Sequence, residues 1–436
     1  MVGGVPDSQA AEVWLSSYGD TEAFPQRIAA RQSPEAVARL AALADAIDPR
    51  IRRLPNVHVA GSKGKGSCVF VLDFLLRQAG RRVVRHTSPQ VEGPWDQLGL
   101  DGQTLSRAQW REALGEFHLA AAPHVPPPSS PDAPSRFELA TLFHLHWMMR
   151  QNPDVAIIET GLGGLFDATN IVSATRVALI TVLGFEHIEQ LGSDIASIAR
   201  HKLGIARPQT PLVLSRQPSA TSARVLEIAR GVSRRLDAPL LLPPPLAPEV
   251  MELLVPVFPR HQIDNIGACV EVVRAGGYAP SRKPLSAWLA TLPWHHLALP
   301  YRLEYLRRDP PVVLDGAHCP LSMNRLVKSL RDDTPETRWR VVLLVMRDKD
   351  IAGICDELRR LPVQELHALR SADPRACEPE RLLSAAVEAG VVSADRAAIL
   401  DSLASMPPGV HEGLLVTGSY RHLSEARRCF ASDAVE

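Results

Sequence analysis

Residues 57–67, VHVAGSKGKGS, restrict what this chain can fold into more than any other stretch. Val57 to Ala60 read as a short, mostly apolar strand. Three glycines follow, Gly61, Gly64 and Gly66, interleaved with Lys63 and Lys65 and closed by the hydroxyl of Ser67. From Cys68 the pattern CVFVLDFLLRQAG is an apolar helix that stops at Gly80. Strand, glycine-rich turn and helix start are the parts of a phosphate-binding loop. Backbone N–H groups and the helix N-terminus face an anion, and a lysine neutralises it. Glycine recurs because a Cβ would hold the backbone away from the phosphate oxygens. Gly66 stands between Lys65 and Ser67, so the strict GxxxxGK[ST] spacing is broken. The loop is therefore a variant, with Lys65 on the transferred phosphate and Ser67 near the helix start.

A chain of 436 residues is too long for one ordinary domain and suits two or three. Lys+Arg and Asp+Glu both total 48, so no global field favours nucleic acid or an anionic membrane. The N-terminal MVGGVPDSQAAE lacks the basic and apolar regions of a secretory signal. No uncharged apolar run approaches the ~20 residues needed to span a bilayer. The six cysteines are scattered without CxxC spacing, which argues against a zinc site and against a disulfide framework. The expectation is a reduced, cytoplasmic enzyme.

Taken in order, residues 8–53 have apolar positions at helical intervals and lead into the phosphate-loop strand. RVVRHTS is a second strand, and Pro89 ends it with Ser88 exposed at the carboxyl end. Residues 123–135 and 239–248 are proline-rich loops. Between them, FELATLFHLHWMMRQ is a helix whose His144, His146 and Trp147 belong to its apolar core face. Val155 to Ile158 are continuously apolar, as a parallel strand buried on both faces requires. That strand ends in Glu159 before another glycine-rich turn, where a carboxylate beside a phosphate loop is placed to hold Mg²⁺. Val177 to Leu183 repeat the design, with Glu186 and His187 in the loop beyond. Glu159 and His187, both at strand ends, point to a shared site. Ser193 and Asp194 cap a helix containing Lys202, and HQIDNIGACVEVVRAGG is a helix with Asn265 near its start.

A boundary falls near 293–300, and alternating strands and helices then restart with PVVLDGAH, RVVLLVM and GLLVTGSYRHLSEARR. The fold class is α/β. An N-terminal P-loop ATPase-like domain with a parallel sheet, residues 1–296, precedes a smaller Rossmann-like α/β domain, residues 297–436. Asp315 ends the first strand of the second domain, where it is placed to meet a ribose or an adenine edge, and Arg302 is placed to reach phosphates. These parts indicate an enzyme using ATP and Mg²⁺, and they leave the acceptor open. Phosphorylating a carboxylate would make an acyl phosphate for an amine to attack, giving an amide ligase. A small-molecule kinase uses the same parts.

Ten stretches add a resemblance. VHVAGSKGKGS, TSP at 87–89, FE at 137–138, ETGLGGLFDATNIV, LGSDIASIARHKLGI, HQIDNIGA, PYRLE, VVLDGAHCP, RDKD and VTGSY occur in this order. In them the chain resembles the folylpolyglutamate synthase/dihydrofolate synthase family, within the Mur-ligase superfamily of ATP-dependent, ADP-forming amide ligases. The resemblance implies that Gly61, Gly64, Lys65, Gly66 and Ser67 hold ATP phosphates, and that Asn265, Arg302 and Asp315 contact ATP with His318 beside them. It implies Ser88, Glu159 and His187 as ligands of one or two Mg²⁺ ions, and Lys65, Lys202, His187 and His318 as the catalytic set. Lys202 matches a lysine that becomes carbamylated, and Phe166, Asp167 and Ala168 match the pterin-holding stretch. A folate- or pteroate-like acid and L-glutamate, or a similar amino acid, are the implied substrates of a monomeric enzyme with no nucleic-acid or membrane partner. Lys63, Gln90, Leu165, Glu186 and Cys319 depart from the family pattern. Those departures admit a relative acting on another acid or amino acid, or a non-catalytic nucleotide-binding homologue.

Overall fold

The computed structural model describes residues 7–19, 33–371, 373–392 and 412–431. The chain divides into two compact units. One comprises Met1–Pro89, Gly93–Phe258 and Gln262–Leu297; the other comprises Gln90–Glu92, Pro259–His261 and Ala298–Glu436.

The first unit contains strands β1 (Asn56–Ala60), β2 (Val83–His86), β3 (Leu98–Leu100), β4 (Gln103–Thr104), β5 (Val155–Glu159), β6 (Thr175–Ile180), β7 (Leu212–Leu214) and β8 (Leu240–Leu241). Their order in the sheet is β4-β3-β2-β5-β1-β6-β7-β8. All neighbouring pairs are parallel except β2–β3 and β3–β4. β1 lies between β5 and β6, with Val59 opposite Glu159 on one side and Leu179 on the other. Every residue of β1 and β5 is buried, which is why Val155 to Ile158 read as an unbroken apolar run and β1 as a mostly apolar one, interrupted by His58. Because β2, β5, β1 and β6 are parallel, the loops at their carboxyl ends share one edge of the sheet.

Helices cover the sheet and begin where their sequences provide caps. Ser106 with Gln109, and Ser135 with Glu138, form reciprocal capping boxes at the helices Arg107–Ala121 and Arg136–Arg150. These two helices bury Leu114, Phe117, Leu139 and Phe143 in one core. His144 and His146 are buried there too, as an apolar stripe requires. Burial holds the His144 imidazole well below its ordinary pKa, so the ring stays neutral.

The second unit contains β9 (Glu304–Arg308), β10 (Pro311–Asp315), β11 (Arg338–Leu344), β12 (Val363–Ala368) and β13 (Glu412–Gly418), ordered β12-β11-β13-β10-β9. Only β9 runs antiparallel to its neighbour. Alternate residues fill the two faces: Val313, Val341, Leu343 and Leu415 in one core, and Leu314, Val342, Leu344 and Val416 in the other. Glu92 joins this unit by accepting a hydrogen bond from Tyr301 Oη at 2.8 Å.

The two-sheet α/β architecture is the one the alternation implies. The differences lie at edges. β4 and β9 are mostly polar and β3 is only three residues long, so no apolar run announces them. β6 stops at Ile180 although apolar residues continue to Leu183, because the Val182 carbonyl accepts from the amides of Ser62 and Lys63 at 2.9 and 3.0 Å. The six cysteines are all free thiols. No helix among the described residues is long and apolar enough to cross a membrane.

Trp339 is fully buried on β11. Trp339→Ala should cost ~3–5 kcal/mol, since the surrounding core relaxes only partly around the lost ring. Calorimetry should show a lowered melting transition, and an unchanged transition would show that the ring is not packed as described.

Candidate active site

β1 delivers the chain to Gly61, and the helix Lys65–Gln78 starts four residues later with Gly64 as its N-cap. Gly64 has φ +92° and no side chain to cap the helix, so the first-turn amides stay available to an anion. A Cβ on Gly64 would lie 2.9 Å from Asn265 Oδ1, so the Asn265 amide sits directly over the loop. Gly66 and Ser67 occupy the buried first turn.

Two lysines converge on one carbonyl. Lys65 Nζ donates to the Gly61 oxygen at 3.0 Å, and Lys202 Nζ donates to the same oxygen at 3.0 Å. Lys202, in the last turn of the helix Ile195–Lys202, is 1% exposed. Its ammonium also donates to Glu186 Oε1 at 2.7 Å, while Lys63 Nζ stands 3.8 Å from Glu186 Oε2. Burial pushes the Glu186 carboxyl up, but Lys202, Lys65 and Lys63 outweigh it and hold the group at about 2. Burial lowers the Lys202 ammonium to about 8, against the pull of Glu186. Three ammonium groups around one carboxylate, beside an uncapped helix start, suit a polyphosphate.

Among the residues read as metal ligands, Ser88 and Glu159 are brought together. The Ser88 amide donates to Glu159 Oε2 at 3.2 Å, and the Glu159 carboxylate is 2% exposed at the carboxyl end of β5. His187 has φ +48° and starts the short helix Ile188–Leu191, next in sequence to Glu186. Among the described residues no three His, Cys, Asp or Glu side chains gather to hold a metal. A hydroxyl, a carboxylate and an imidazole do not require such a cluster, and this donor set fits Mg²⁺ or Mn²⁺.

The residues read as substrate-holding lie in the turn after β5. The Phe166 ring stands edge-on to His201, with centroids 5.7 Å apart. Asp167 caps the short helix Ala168–Ile171, and Ala168 is buried. Burial raises the Asp167 carboxyl, opposed by the Thr169 hydroxyl and backbone amides. Leu165 is 38% exposed, while its amide donates to the His201 carbonyl at 2.7 Å.

The other nucleotide-side residues form a group within the second unit. Asp315 accepts from the amides of Leu303 and Ala317 at 2.7 and 2.8 Å. Burial pushes its carboxyl up to about 6, against those donors and Arg302. His318 Nδ1 lies 2.7 Å from the Gly316 carbonyl, so Nδ1 carries the proton that this contact needs. The Arg302 guanidinium lies 5.6 Å from the Tyr420 ring centroid, and His318 stands edge-on to the same ring. Tyr420 is thus the hub of this group. Sequence reasoning placed it in the VTGSY signature without giving it a role; its position just past a strand end after Gly418 was the available signal.

Residues 301–420 match the family described as Mur ligase, glutamate ligase domain. The chain is 29% identical over 447 residues to the dihydrofolate synthase/folylpolyglutamate synthase of Mycobacterium tuberculosis (strain ATCC 25618 / H37Rv), covering 91% of this chain and 90% of that one. It is 27% identical over 403 residues to the Bacillus subtilis (strain 168) protein of the same name, covering 86% and 90%. A solved structure of Mycobacterium tuberculosis folylpolyglutamate synthase complexed with ADP superposes with a TM-score of 0.80 at 28% identity, covering 97% of this chain and 99% of that one. The chain is thus similar over nearly its whole length to dihydrofolate synthases/folylpolyglutamate synthases, and its residues 301–420 carry the Mur ligase glutamate ligase domain. The domain match contains Arg302, Asp315, His318 and Tyr420, while the phosphate loop lies in the likeness that spans nearly the whole chain.

Glu186 supplies an acid-dependent test. Its folded pKa of about 2 lies below the ordinary 4.5, so its pairing contributes stability above pH 4.5 that is lost as pH falls toward 2. That contribution is on the order of 3 kcal/mol. Glu186→Gln should therefore melt lower than the parent at pH 7, with the deficit closing between pH 4.5 and 2. A deficit that does not change with pH would refute the pairing.

Proposed function

We propose that this protein is a Mur ligase of the dihydrofolate synthase/folylpolyglutamate synthase family, an ATP-dependent, ADP-forming amide ligase that joins L-glutamate to a pteroate- or folate-like carboxylic acid. The observation that carries the reading is the convergence of Lys65 and Lys202 on the Gly61 carbonyl at an uncapped helix start. The names of the Mycobacterium tuberculosis and Bacillus subtilis relatives support the substrates. Residues 1–296 act as the P-loop domain and residues 297–436 as the Mur-ligase C-terminal domain, in a monomer working in the cytoplasm.

A carboxylate is a poor electrophile, so the acid must be activated first. Its oxygen forms a bond to the γ-phosphorus as the bond from that phosphorus to the β,γ-bridging oxygen breaks, releasing ADP. The glutamate amine then attacks the acyl carbon, inorganic phosphate leaves, and the amine gives up a proton. Lys65 moves from the Gly61 carbonyl to the transferred phosphoryl group, with Gly64, Gly66 and Ser67 presenting amides and a hydroxyl. Asn265, Arg302 and Asp315 hold the nucleotide, with His318 beside them. Ser88, Glu159 and His187 hold one or two Mg²⁺ ions, which supply charge neutralisation along the phosphates when bound. Phe166, Asp167 and Ala168 hold the acid.

Lys202 is read as a carbamate: neutral amine and CO₂ combine with loss of a proton. A pKa of about 8 leaves much more neutral amine near neutrality than the ordinary 10.5 would. Lys202→Ala should be inactive and partly restored by acetate or another short carboxylate. Activity indifferent to both the mutation and bicarbonate would remove the carbamate from the reading.

A second reading, another acid or amino acid in the same ligation, is favoured by the exposed apolar side chain of Leu165. Leucine cannot make the forked pairing with a carboxylate that an arginine would. Mass spectrometry with ATP, Mg²⁺, pterin and non-pterin acids, and a panel of amino acids distinguishes the two. ADP release that requires the amine separates a ligase from a kinase. Lys65→Ala should lose ~3–4 kcal/mol of transition-state stabilisation, several-hundredfold in rate.

A further inference from the structure

The structure assigns to His58 the role of a positioning residue for the acid-binding turn, acting through Thr169 and Asp167. This rests on the reading that Phe166, Asp167 and Ala168 hold the acid. His58 is fully buried in β1, three residues before Gly61. An imidazole in the middle of a central parallel strand is out of place among apolar side chains, since such strands normally bury hydrocarbon on both faces. Its directional contact is short: His58 Nε2 lies 2.9 Å from Thr169 Oγ1.

That contact continues into the turn. The Thr169 hydroxyl donates to Asp167 Oδ1 at 2.5 Å, and the Thr169 amide reaches the same oxygen at 3.0 Å. The other oxygen, Oδ2, accepts from the Leu162 amide at 2.7 Å. Asp167 thus ties the beginning of the glycine-rich turn to its end. The threonine hydroxyl has one hydrogen, and it points at the carboxylate, so its oxygen is an acceptor toward His58. The imidazole proton must then sit on Nε2. Nδ1 has no partner, and burial holds the ring at about 3, so the neutral tautomer persists through any ordinary assay pH. Leaving Nδ1 unpartnered in the core is a cost that an apolar residue would avoid. What the histidine provides in return is a donor aimed at Thr169.

The turn is held on its other side as well. A Cβ on Gly161 would lie 2.4 Å from Phe137 Cζ and 3.4 Å from Asp167 Oδ2. The strand that carries the phosphate loop and the turn that presents Phe166 are therefore linked by three buried side chains. Loosening the chain at His58 should shift the turn while leaving the loop in place.

Four variants test this: His58→Phe, His58→Gln, Thr169→Val and Thr169→Ser. Glutamine can place an amide N–H near the Nε2 position, and serine keeps the hydroxyl. Kinetics in both substrates, melting temperature, and amide exchange at 160–169 and 61–67 are read for each. His58→Phe and Thr169→Val should raise KM for the acid roughly tenfold, with kcat and KM for ATP within about twofold. Exchange at Leu162 should quicken while 61–67 is unchanged. Glutamine and serine should restore both, and His58→Phe with Thr169→Val together should be no worse than Thr169→Val alone. Losses of kcat and of both KM values that follow the melting temperature, with no restoration by glutamine, would overturn the assignment; so would unchanged KM and exchange. If the parent ligates no pteroate or folate acid, the substrate reading fails by itself. Exchange at Leu162 then still decides for His58: faster in the phenylalanine variant alone supports the link, and equal rates in both His58 variants overturn it.

Discussion

A lysine ammonium that is 1% exposed needs partners, and the site depends on how Lys202 finds them. Its proton donors go to the Gly61 carbonyl and to Glu186, so a helix end, the residue after β1 and the loop after β6 are fixed against one another. Removing one partner of a buried charge leaves the other uncompensated, which typically costs ~3–5 kcal/mol. The backbone adds to this restraint, because the Val182 carbonyl takes the amides of Ser62 and Lys63. The phosphate loop is therefore held in shape by its own side chains and neighbours. Such pre-arrangement is what allows charge to be stabilised without reorganisation at the moment of reaction.

The part of this that was legible in the sequence is the part written in apolar runs and glycine spacing. β5 and β10 are continuous apolar runs that each end in a carboxylate, and β1 is a mostly apolar run that ends at the glycine-rich loop. Strands buried on both faces are written mostly in hydrocarbon, with His58 of β1 an exception. β4 and β9 need to satisfy only one neighbour and a solvent edge, and β3 is three residues long, so their residues carry no such pattern. The pairing of Lys202 with Glu186 was illegible for a different reason. HKLGI reads as an ordinary helix end, and the 16-residue separation from Glu186 has no periodicity to betray it. Asn265 over Gly64, and Tyr420 between Arg302 and His318, are likewise long-range placements that only the folded chain makes.

The two ends of the reaction are built differently. At the phosphate end, Lys202 and Glu159 are buried and their polar atoms engaged. Among the residues read as facing the acceptor, Leu165 is 38% exposed, and beyond β6 Phe185 and Ile188 are 61% and 53% exposed. Buried charge tolerates little change, whereas exposed loop residues can be exchanged at small cost to stability. The departures from the family pattern fall on both sides of this division: Gln90 and Leu165 lie in loops, whereas Lys63 and Glu186 belong to the charged cluster around Lys202, where Lys65 stays.

The strand order of the second unit sets an order of events during synthesis. β13 follows all the other described strands in sequence, yet it lies between β11 and β10 in the sheet. Until it emerges from the ribosome, β10 and β11 have no ladder to join them. The first unit's sheet needs nothing beyond β8, which ends at Leu241. A growing chain would thus carry a finished sheet followed by a half-made one with two open edges, a state in which chaperones or neighbouring chains find exposed strands. A ribosome that stalls before residue 412 leaves a product whose second core cannot close.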